Sequence, residues 1–277
     1  MVKALQRQWE HLDISNDFIF ANLMQDKEIC IEVLSRLLHF NVEDIEDITY
    51  QKALDVTYAS KGIRLDVYIK GDDNIYNVEM QVRNNKDLAR RTRYYQAMID
   101  LNSIEKGGEY ADLPNTYIIF ICKFDPFSND LPCYSFSNIC HEDNNLHLDD
   151  GAKKIFFNTT AYEYEANVNT KKFLAYINGN TEQDDHFIEK INSKVKAIKE
   201  DKVLKEDYMA FMAREWDNRR ESFNEGKLEG KIEGAIAKAI EVAKKLLSIF
   251  SDQEIAKTTE LPLEEVKRIR LENELDK

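Results

Sequence analysis

The chain has 277 residues, of which 43% are hydrophobic and 32% are charged, and its formal net charge is −13. This length suits one large domain or two smaller ones with an ample core, and no segment approaches the roughly 18 consecutive apolar residues of a membrane helix. The start of the chain lacks the apolar stretch of a signal peptide. The acidic balance argues against general adhesion to nucleic acid but leaves room for a locally basic groove.

The cysteines lie far apart in the chain, without a CxxC pair: Cys30, Cys122, Cys133 and Cys140. We therefore expect reduced thiols and a cytoplasmic protein. A zinc site formed by the last two cysteines with His141 and His147 is disfavoured, because their spacing fits no common zinc pattern.

The chain begins with a predicted irregular lead-in that ends near a helix-capping residue, Asn16 or Asp17. Apolar residues at helical spacing then predict a helical segment over Phe18–Phe40 that packs on a sheet. Within this segment Glu28 and Glu32 lie one turn apart and could supply a carboxylate to an acidic site. Solvent exposure is the simpler interpretation of both.

The stretch from Ile63 to Val82 predicts two strands joined by a turn. Apolar and polar residues alternate in both strands, which is typical of half-buried strands. Residues 71–74 (GDDN) favour a tight loop, because Gly and Asn tolerate positive φ. Pairing Lys70 with Ile75 then matches apolar residues with apolar residues along the whole buried face.

This register sets Asp66 directly opposite Glu79, and Arg64 opposite Gln81. Opposed like charges on neighbouring strands are about 5 Å apart at Cβ and destabilise a sheet. A divalent cation between the two carboxylates would remove the repulsion and use them as hard oxygen ligands. The alternative is an exposed hairpin whose acids point to water.

The helix predicted after the hairpin, ending near Ile104, is rich in arginine and tyrosine: Arg90, Arg91, Arg93, Tyr94 and Tyr95. These side chains closely follow the paired acids and could contact phosphate through charge-assisted hydrogen bonds. The alternative is a solvated helix face with the tyrosines packed on the sheet.

Three further strands are predicted over Tyr117–Cys122, Cys133–Asn138 and Lys153–Asn158. The first is a continuous apolar run, so it should be a central strand that is buried on both faces. With the preceding helices and hairpin, these strands predict an α/β core that ends near residue 165.

The rest of the sequence is highly charged and helical, with predicted helices over Lys171–Gly179 and His186–Arg220. We therefore divide the chain into a domain of residues 1–165, a helical connecting region of residues 166–225 and a C-terminal helical arm of residues 226–277.

The arm opens with an EGK repeat whose glycines fall almost on one stripe, which suggests close helix approach or a hinge. A near-heptad apolar seam from Ile232 to Phe250 predicts self-association. Two short helices follow, the first with a capping box at Ser251 and Glu254. They resemble a helix-turn-helix unit, and the alternative is a helical hairpin that packs on its neighbours.

Asp66, Glu79 and Gln81 at this spacing resemble the D…(D/E)xK motif of restriction-endonuclease-like nucleases, in a variant with Gln in place of Lys. With the arginine- and tyrosine-rich helix, the apolar strand and the EGK repeats, they make the chain similar to the PD-(D/E)XK family transposases, also described as Rpn-type recombination-promoting nucleases. The resemblance runs from about Ser15 to Arg270.

This resemblance implies a restriction-endonuclease-like α/β core, with a mixed central sheet flanked by helices and a helical C-terminal extension, and DNA cleavage that depends on Mg²⁺ or Mn²⁺. Asp66 and Glu79 would be catalytic metal ligands, and Gln81 would take the place of the catalytic lysine. Arg91 and Tyr95 match the arginine and tyrosine of the following family helix and would contact the substrate.

Gln81 lacks the positive charge that a lysine brings to the transition state, so Arg64 or Lys61 is expected to supply it near the phosphate. The leading hypothesis is a metal-dependent DNA endonuclease, acting as a transposase or recombination-promoting nuclease. One alternative is a non-catalytic DNA-binding or oligomeric regulatory protein of the same fold; another is an assembly protein organised by its C-terminal helices. DNA and further copies of the chain are the expected partners, with no membrane.

Overall fold

A mixed sheet lies at the centre of the fold in this computed structural model, which describes residues 2–43, 45–54, 62–71, 73–84, 86–181 and 184–275. The strands in this part of the chain are β1 (Asp47–Leu54), β2 (Ile63–Lys70), β3 (Asn74–Gln81), β4 (Asn115–Cys122), β5 (Cys133–Phe136) and β6 (Ala152–Asn158). Their order is β1-β2-β3-β4-β6-β5. The pairs β3–β4 and β4–β6 are parallel and the other neighbours are antiparallel, which confirms the predicted α/β core with a mixed sheet.

Helices flank the sheet and make up the C-terminal part of the chain. They are α1 (Val2–Glu10), α2 (Asp17–Met24), α3 (Lys27–Leu38), α4 (Leu88–Ser103), α5 (Val168–Ile177), α6 (His186–Glu200), α7 (Lys202–Leu246), α8 (Asp252–Thr259) and α9 (Leu263–Leu275), with 3-10 turns at Tyr110–Asp112 and Thr159–Tyr164. The chain divides into two compact units, Met1–Tyr208 and Met209–Lys277. This division falls inside α7. The three-part division into functional domains stays a prediction.

The central strands are buried on both faces. In β4 every residue from Thr116 to Cys122 is buried, as the continuous apolar run predicts. In β3 every residue from Ile75 to Gln81 is buried as well, because β2 and β4 pair with its two edges and helices cover the sheet. The prediction of one exposed polar face for β3 is therefore wrong, and the polar residues of that face lie inside the protein.

The β2–β3 register agrees with the sequence prediction near the turn. Lys70 pairs with Ile75 and Val67 pairs with Val78, and the Gly71 N–H donates to the Asn74 carbonyl over 2.9 Å. Buried and more exposed residues alternate along β2 as predicted. The predicted turn residue Asp72 lies outside the described residues.

The N-terminal lead-in is a helix, so the prediction of an irregular segment is wrong. In α1, Leu5 and Trp9 lie one turn apart and are both buried. The Trp9 indole N–H donates to the Lys199 carbonyl over 3.1 Å. This contact joins residues 190 positions apart, and a window of local sequence does not contain it. The predicted cap is confirmed at Asn16, whose side chain accepts from the N–H groups of Phe18 and Ile19.

The first unit extends beyond residue 165, because α5 and α6 pack on α3 and α2. Arg36 of α3 makes a 2.7 Å ion pair with Asp185, the residue that caps α6. The predicted helix His186–Arg220 is interrupted at Asp201. The Asp201 side chain accepts from the N–H groups of Val203 and Leu204 and so begins a new helix, α7.

The second unit has a small apolar core of its own. The core residues come from the end of α7 and from α8 and α9: Ala243, Leu247, Ile255, Leu261, Val266 and Ile269. The predicted capping box is present. The Ser251 backbone N–H and hydroxyl group both donate to the Glu254 carboxylate. Throughout the described helices, none is both long and apolar enough to cross a membrane.

Candidate functional site

The β2–β3 hairpin opens where Asp66 and Glu79 lie. Backbone pairing stops at Val67–Val78 in the described strands. Beyond this pair, the Asp66 backbone N–H donates to Glu79 Oε1 over 3.1 Å, and the Met80 N–H donates to the Asp66 carboxylate. Two carboxylates thus take over hydrogen bonds that a continuing ladder would make between backbone groups. The predicted pairing of the strands past this point is wrong.

Glu79 is the most enclosed acid of the site, with 1% of its surface exposed. Its Oε1 also accepts from Asn77 Nδ2 at 3.1 Å, and its Oε2 lies 3.4 Å from the Arg91 guanidinium. Burial raises the pKa of Glu79 to about 7, although the hydrogen bonds from Asp66 and Asn77 and the charge of Arg91 act in the opposite direction. The alternative of an exposed hairpin with acids in water is therefore wrong for Glu79.

Asp66 is partly accessible to solvent, and its carboxylate interacts with the nearby charge of Glu79. Burial raises the pKa of Asp66 well above its ordinary value, and the negative charges of Glu79 and Asp17 add to this effect. Two adjacent carboxylates in such surroundings favour a proton or a cation that reduces their joint charge.

Arg91 connects the acids with Gln81. The Arg91 Nη1 donates to Gln81 Oε1 over 3.2 Å, and its Nη2 donates to the Tyr95 hydroxyl over 2.8 Å. The guanidinium carbon also lies 5.3 Å and 5.5 Å from the ring centres of Tyr95 and Phe120. These contacts hold the guanidinium in place between aromatic rings and carboxylate.

The arginine-rich helix α4 contributes to the site through one stripe. Arg91 reaches Glu79, and Tyr95, one helical turn on, bonds Arg91, whereas Arg90 and Arg93 are exposed. Both interpretations of this helix thus hold for part of it: Tyr95 packs on the sheet, where its ring stacks on Phe120 at 6.4 Å, and it also bonds a cation of the site.

Arg64 lies elsewhere. Its side chain is exposed, and the described pairing of β2 with β3 ends at Val67–Val78, before Arg64, so the prediction that it faces Gln81 is wrong. Lys61, the other predicted source of positive charge, lies outside the described residues. The cation that contacts Gln81 is Arg91, which comes from a helix rather than from the hairpin.

Asp17 is a further acid that the sequence reasoning missed as a site residue. Asp17 is exposed as a whole, yet partial burial of its carboxyl group raises the pKa of that group, and its charge raises the pKa of both Asp66 and Glu79. The acids considered from the sequence point elsewhere, since Glu28 pairs with Lys190 and Glu32 with Arg36. The available signal was the position of Asp17 at the start of an apolar helix that packs on β1 and β2.

An open groove of about 690 Å³ borders the site at Arg91. Its lining residues are Asn84, Lys86, Asp87 and Arg91. Arg91 therefore belongs both to the groove and to the cluster of acids, and Lys86 adds a second positive charge, against one negative charge from Asp87. A groove of this polarity suits a phosphate group.

The donors at the opened hairpin fit a sparsely coordinated Mg²⁺ or Mn²⁺. Asp66 and Glu79 offer two carboxylates, which are hard ligands. Mg²⁺ keeps several waters and uses one or two protein carboxylates. Within the described part of the chain, no group of three or more His, Cys, Asp or Glu side chains is arranged to hold a metal, so an enclosed cage of the structural zinc type is not present there.

The fold and the site define an α/β protein with an acidic cluster on the central strands of a mixed sheet. A family model described as PD-(D/E)XK nuclease family transposase matches residues 14–222. The chain belongs to this family, and its α/β fold with a mixed, helix-flanked sheet agrees with the nuclease fold. Membership indicates a nuclease- or transposase-like function. Comparisons with curated proteins and with solved structures found no match.

Proposed function

We propose that the protein is a metal-dependent DNA endonuclease, acting as a transposase or recombination-promoting nuclease. The observation that carries this proposal is the opened hairpin. There, the carboxylates of Glu79 and Asp66 accept hydrogen bonds in place of backbone groups of the central strands. Arg91 lies beside Glu79 and also lines an open groove. Two neighbouring carboxylates beside a single arginine in a sheet interior are costly, so a cation-binding role gives a physical reason for their place.

In this proposal Asp66 and Glu79 hold Mg²⁺ or Mn²⁺. When bound, the metal supplies a water of lowered pKa and polarises the scissile phosphate. The hydrogen bonds from Asp66 N–H and Asn77 Nδ2 fix Glu79 Oε1, which holds the carboxylate in one orientation. A fixed carboxylate loses little freedom on binding a ligand.

Gln81 and Arg91 share the role that one lysine has in the usual motif. Because Gln81 Oε1 accepts from Arg91, the amide N–H group is the part of Gln81 that can donate to a water or a phosphate oxygen. Arg91 carries the permanent positive charge, and its position on the groove suits it to the charge that develops on phosphate during cleavage. Tyr95 positions Arg91 through its hydroxyl group.

Nicking of supercoiled plasmid by the full chain tests this function. Cleavage is expected with Mg²⁺ or Mn²⁺, and it should stop with a chelator or in the isosteric variants Asp66→Asn and Glu79→Gln. Glu28→Gln is the matched control, because Glu28 is an exposed acid that pairs with Lys190 outside the site. Cleavage that survives Asp66→Asn and Glu79→Gln would remove these residues from the mechanism.

A second candidate is a non-catalytic DNA-binding or regulatory protein of the same fold. It is favoured by the neutral Gln81 and by the ion pair between Arg91 and Glu79, which already offsets part of the negative charge. It predicts that DNA is retained on the protein without cleavage under every divalent metal tried. A cytoplasmic location is part of both candidates and is supported by four free cysteines in the described residues.

A further inference from the structure

Three large apolar side chains form an exposed row on α7. Leu228, Ile232 and Ile236 are 61%, 52% and 47% exposed, and they follow one another every fourth residue along an uninterrupted helix. At about 100° per residue, these positions lie on one face. Exposing such a row to water is unfavourable, and covering it stabilises the protein.

The same face is covered farther along the helix. Ala239, Ala243 and Leu247 follow Leu228, Ile232 and Ile236 at a spacing of eleven residues each. Ala243 and Leu247 are buried in the core that α7 makes with α8 and α9, and Ala239 packs against that core. The exposed row therefore continues, toward the N-terminus, a face that already packs against helices in this unit.

Charged residues border the row with opposite signs. Lys227 and Lys231 follow one edge, and Glu229 and Glu233 follow the other, when the helix is viewed at about 100° per residue. Across the described residues, none of these four side chains has an ion-pair partner in the chain.

The order of the positive and negative edges decides how two such helices can pair. In a parallel pair the lysine edge faces the partner's glutamate edge, whereas in an antiparallel pair like charges face each other.

We propose that this face of α7 is the interface between two copies of the chain, which pair in parallel and in register. The apolar row supplies the buried centre, and the lysine and glutamate edges set the orientation. This inference is independent of DNA cleavage. The glycines Gly226, Gly230 and Gly234 lie on the opposite face of the helix, and a Cβ added at any of them meets nothing within 4 Å in the chain, so alanine fits at these positions.

The first test is the oligomeric state of the full chain, measured by sedimentation across the micromolar range. The unchanged chain is expected to form dimers. Ile232→Gln with Ile236→Gln should weaken dimerisation by roughly 100-fold or more, because four large apolar side chains per dimer lose their burial. The matched control is Gly226→Ala with Gly230→Ala, which changes the opposite face and favours the helix, and should leave the dimer intact.

Circular dichroism checks that the glutamine variant is folded, since it should retain its helix content.

A second measurement determines the orientation of the two helices. The variants Leu228→Cys and Ile236→Cys lie about 12 Å apart along the helix axis. In a parallel dimer each introduced cysteine forms a disulfide with the same residue of the partner under oxidation. In an antiparallel dimer this happens at most at one position, near the symmetry axis.

Three results would overturn the proposal. One is a monomeric full chain throughout the micromolar range. Another is a dimer that survives the two glutamine changes but is lost when Gly230→Lys alters the opposite face. The third is cross-linking at one of the two cysteine positions alone, beyond the background of the unchanged chain, which would reject parallel pairing.

Discussion

Arg91 donates a hydrogen bond to the Gln81 amide oxygen over 3.2 Å, and the same guanidinium lies 3.4 Å from the Glu79 carboxylate. A cation from helix α4 is thus bound to both residues of the ExQ sequence on β3. This arrangement places a positive charge from a separate element beside the neutral Gln81. It also gives the neutral glutamine a fixed orientation, because its oxygen is occupied by Arg91.

Removing the Arg91 charge should impair cleavage more than it impairs folding. We expect Arg91→Gln to lower the plasmid-nicking rate by roughly 100- to 1,000-fold, the usual effect of losing one group that stabilises transition-state charge. Adding Gln81→Lys to this variant should recover part of the rate, because the charge returns at the motif position. Arg90→Gln is the control, since Arg90 is the exposed neighbour on the same helix. Equal losses in both single variants would contradict the role given to Arg91.

Glu79 should make the metal-free protein less stable as pH rises. Its pKa is about 7 in the folded chain, against an ordinary value of 4.5. A carboxyl group with a raised pKa contributes stability below pH 4.5 that is lost as pH rises through about 7. We therefore expect Glu79→Gln, in chelator, to gain on the order of 2 kcal/mol in free energy of unfolding relative to the unchanged chain over this window. Urea unfolding at several pH values measures the difference.

Mg²⁺ should reverse that penalty in the unchanged chain. A ligand that binds the folded state raises its free energy of unfolding, so added Mg²⁺ is expected to raise the melting temperature above neutral pH. Glu79→Gln and Asp66→Asn should respond weakly. A stability difference between Glu79→Gln and the unchanged chain that does not vary with pH would contradict the raised pKa.

Asn77 should tune the metal response through Glu79. It is fully buried and donates to Glu79 Oε1, while its own Oδ1 has no hydrogen-bond partner in the described part of the chain. Because this hydrogen bond lowers the pKa of Glu79, Asn77→Ala should raise that pKa further. Protons then compete better with metal, and the Mg²⁺ concentration for half-maximal cleavage should rise several-fold at neutral pH.

The competition makes the Asn77 effect dependent on pH. At about pH 9, where Glu79 is ionised in either chain, the metal responses should converge. Asn158→Ala is the matched control; this buried asparagine also has an unpartnered amide atom, and its side chain caps a 3-10 turn instead of bonding Glu79. A shift in Mg²⁺ response of the same size in both variants would show that Asn77 acts through general stability.

The sequence predicts those parts of the site that depend on local pattern. Alternation in β2, the GDDN loop and the matching of apolar residues define a register near Lys70 and Ile75, and from it follows the closeness of Asp66 and Glu79. The same pairing rule fails at the next pair along the strands, Asp66 and Glu79. It assumes that the ladder continues, whereas carboxylates with raised pKa values accept the backbone hydrogen bonds there.

The rest of the site depends on how distant elements pack. Whether Arg64 or Arg91 reaches Gln81 depends on the direction of α4 across the sheet, which the helical pattern does not specify. Asp17 joins the acids from a helix that begins far upstream in the chain. Its position at the start of an apolar helix places it near the sheet, but the capping position of Asn16 and Asp17 explains both residues locally, so the sequence does not point to the acids of the hairpin.

Asp17 provides the last prediction, because its charge acts on both carboxylates of the proposed metal site. We expect Asp17→Asn to lower the pKa of Asp66 and Glu79, since Asp17 raises both, and so to stabilise the metal-free protein at alkaline pH. If its carboxylate also helps to attract the cation, Mg²⁺ affinity measured by calorimetry should fall several-fold despite that stabilisation. Glu28→Gln removes an acid from the neighbouring helix and should change neither quantity. Identical behaviour of the two variants would separate Asp17 from the site.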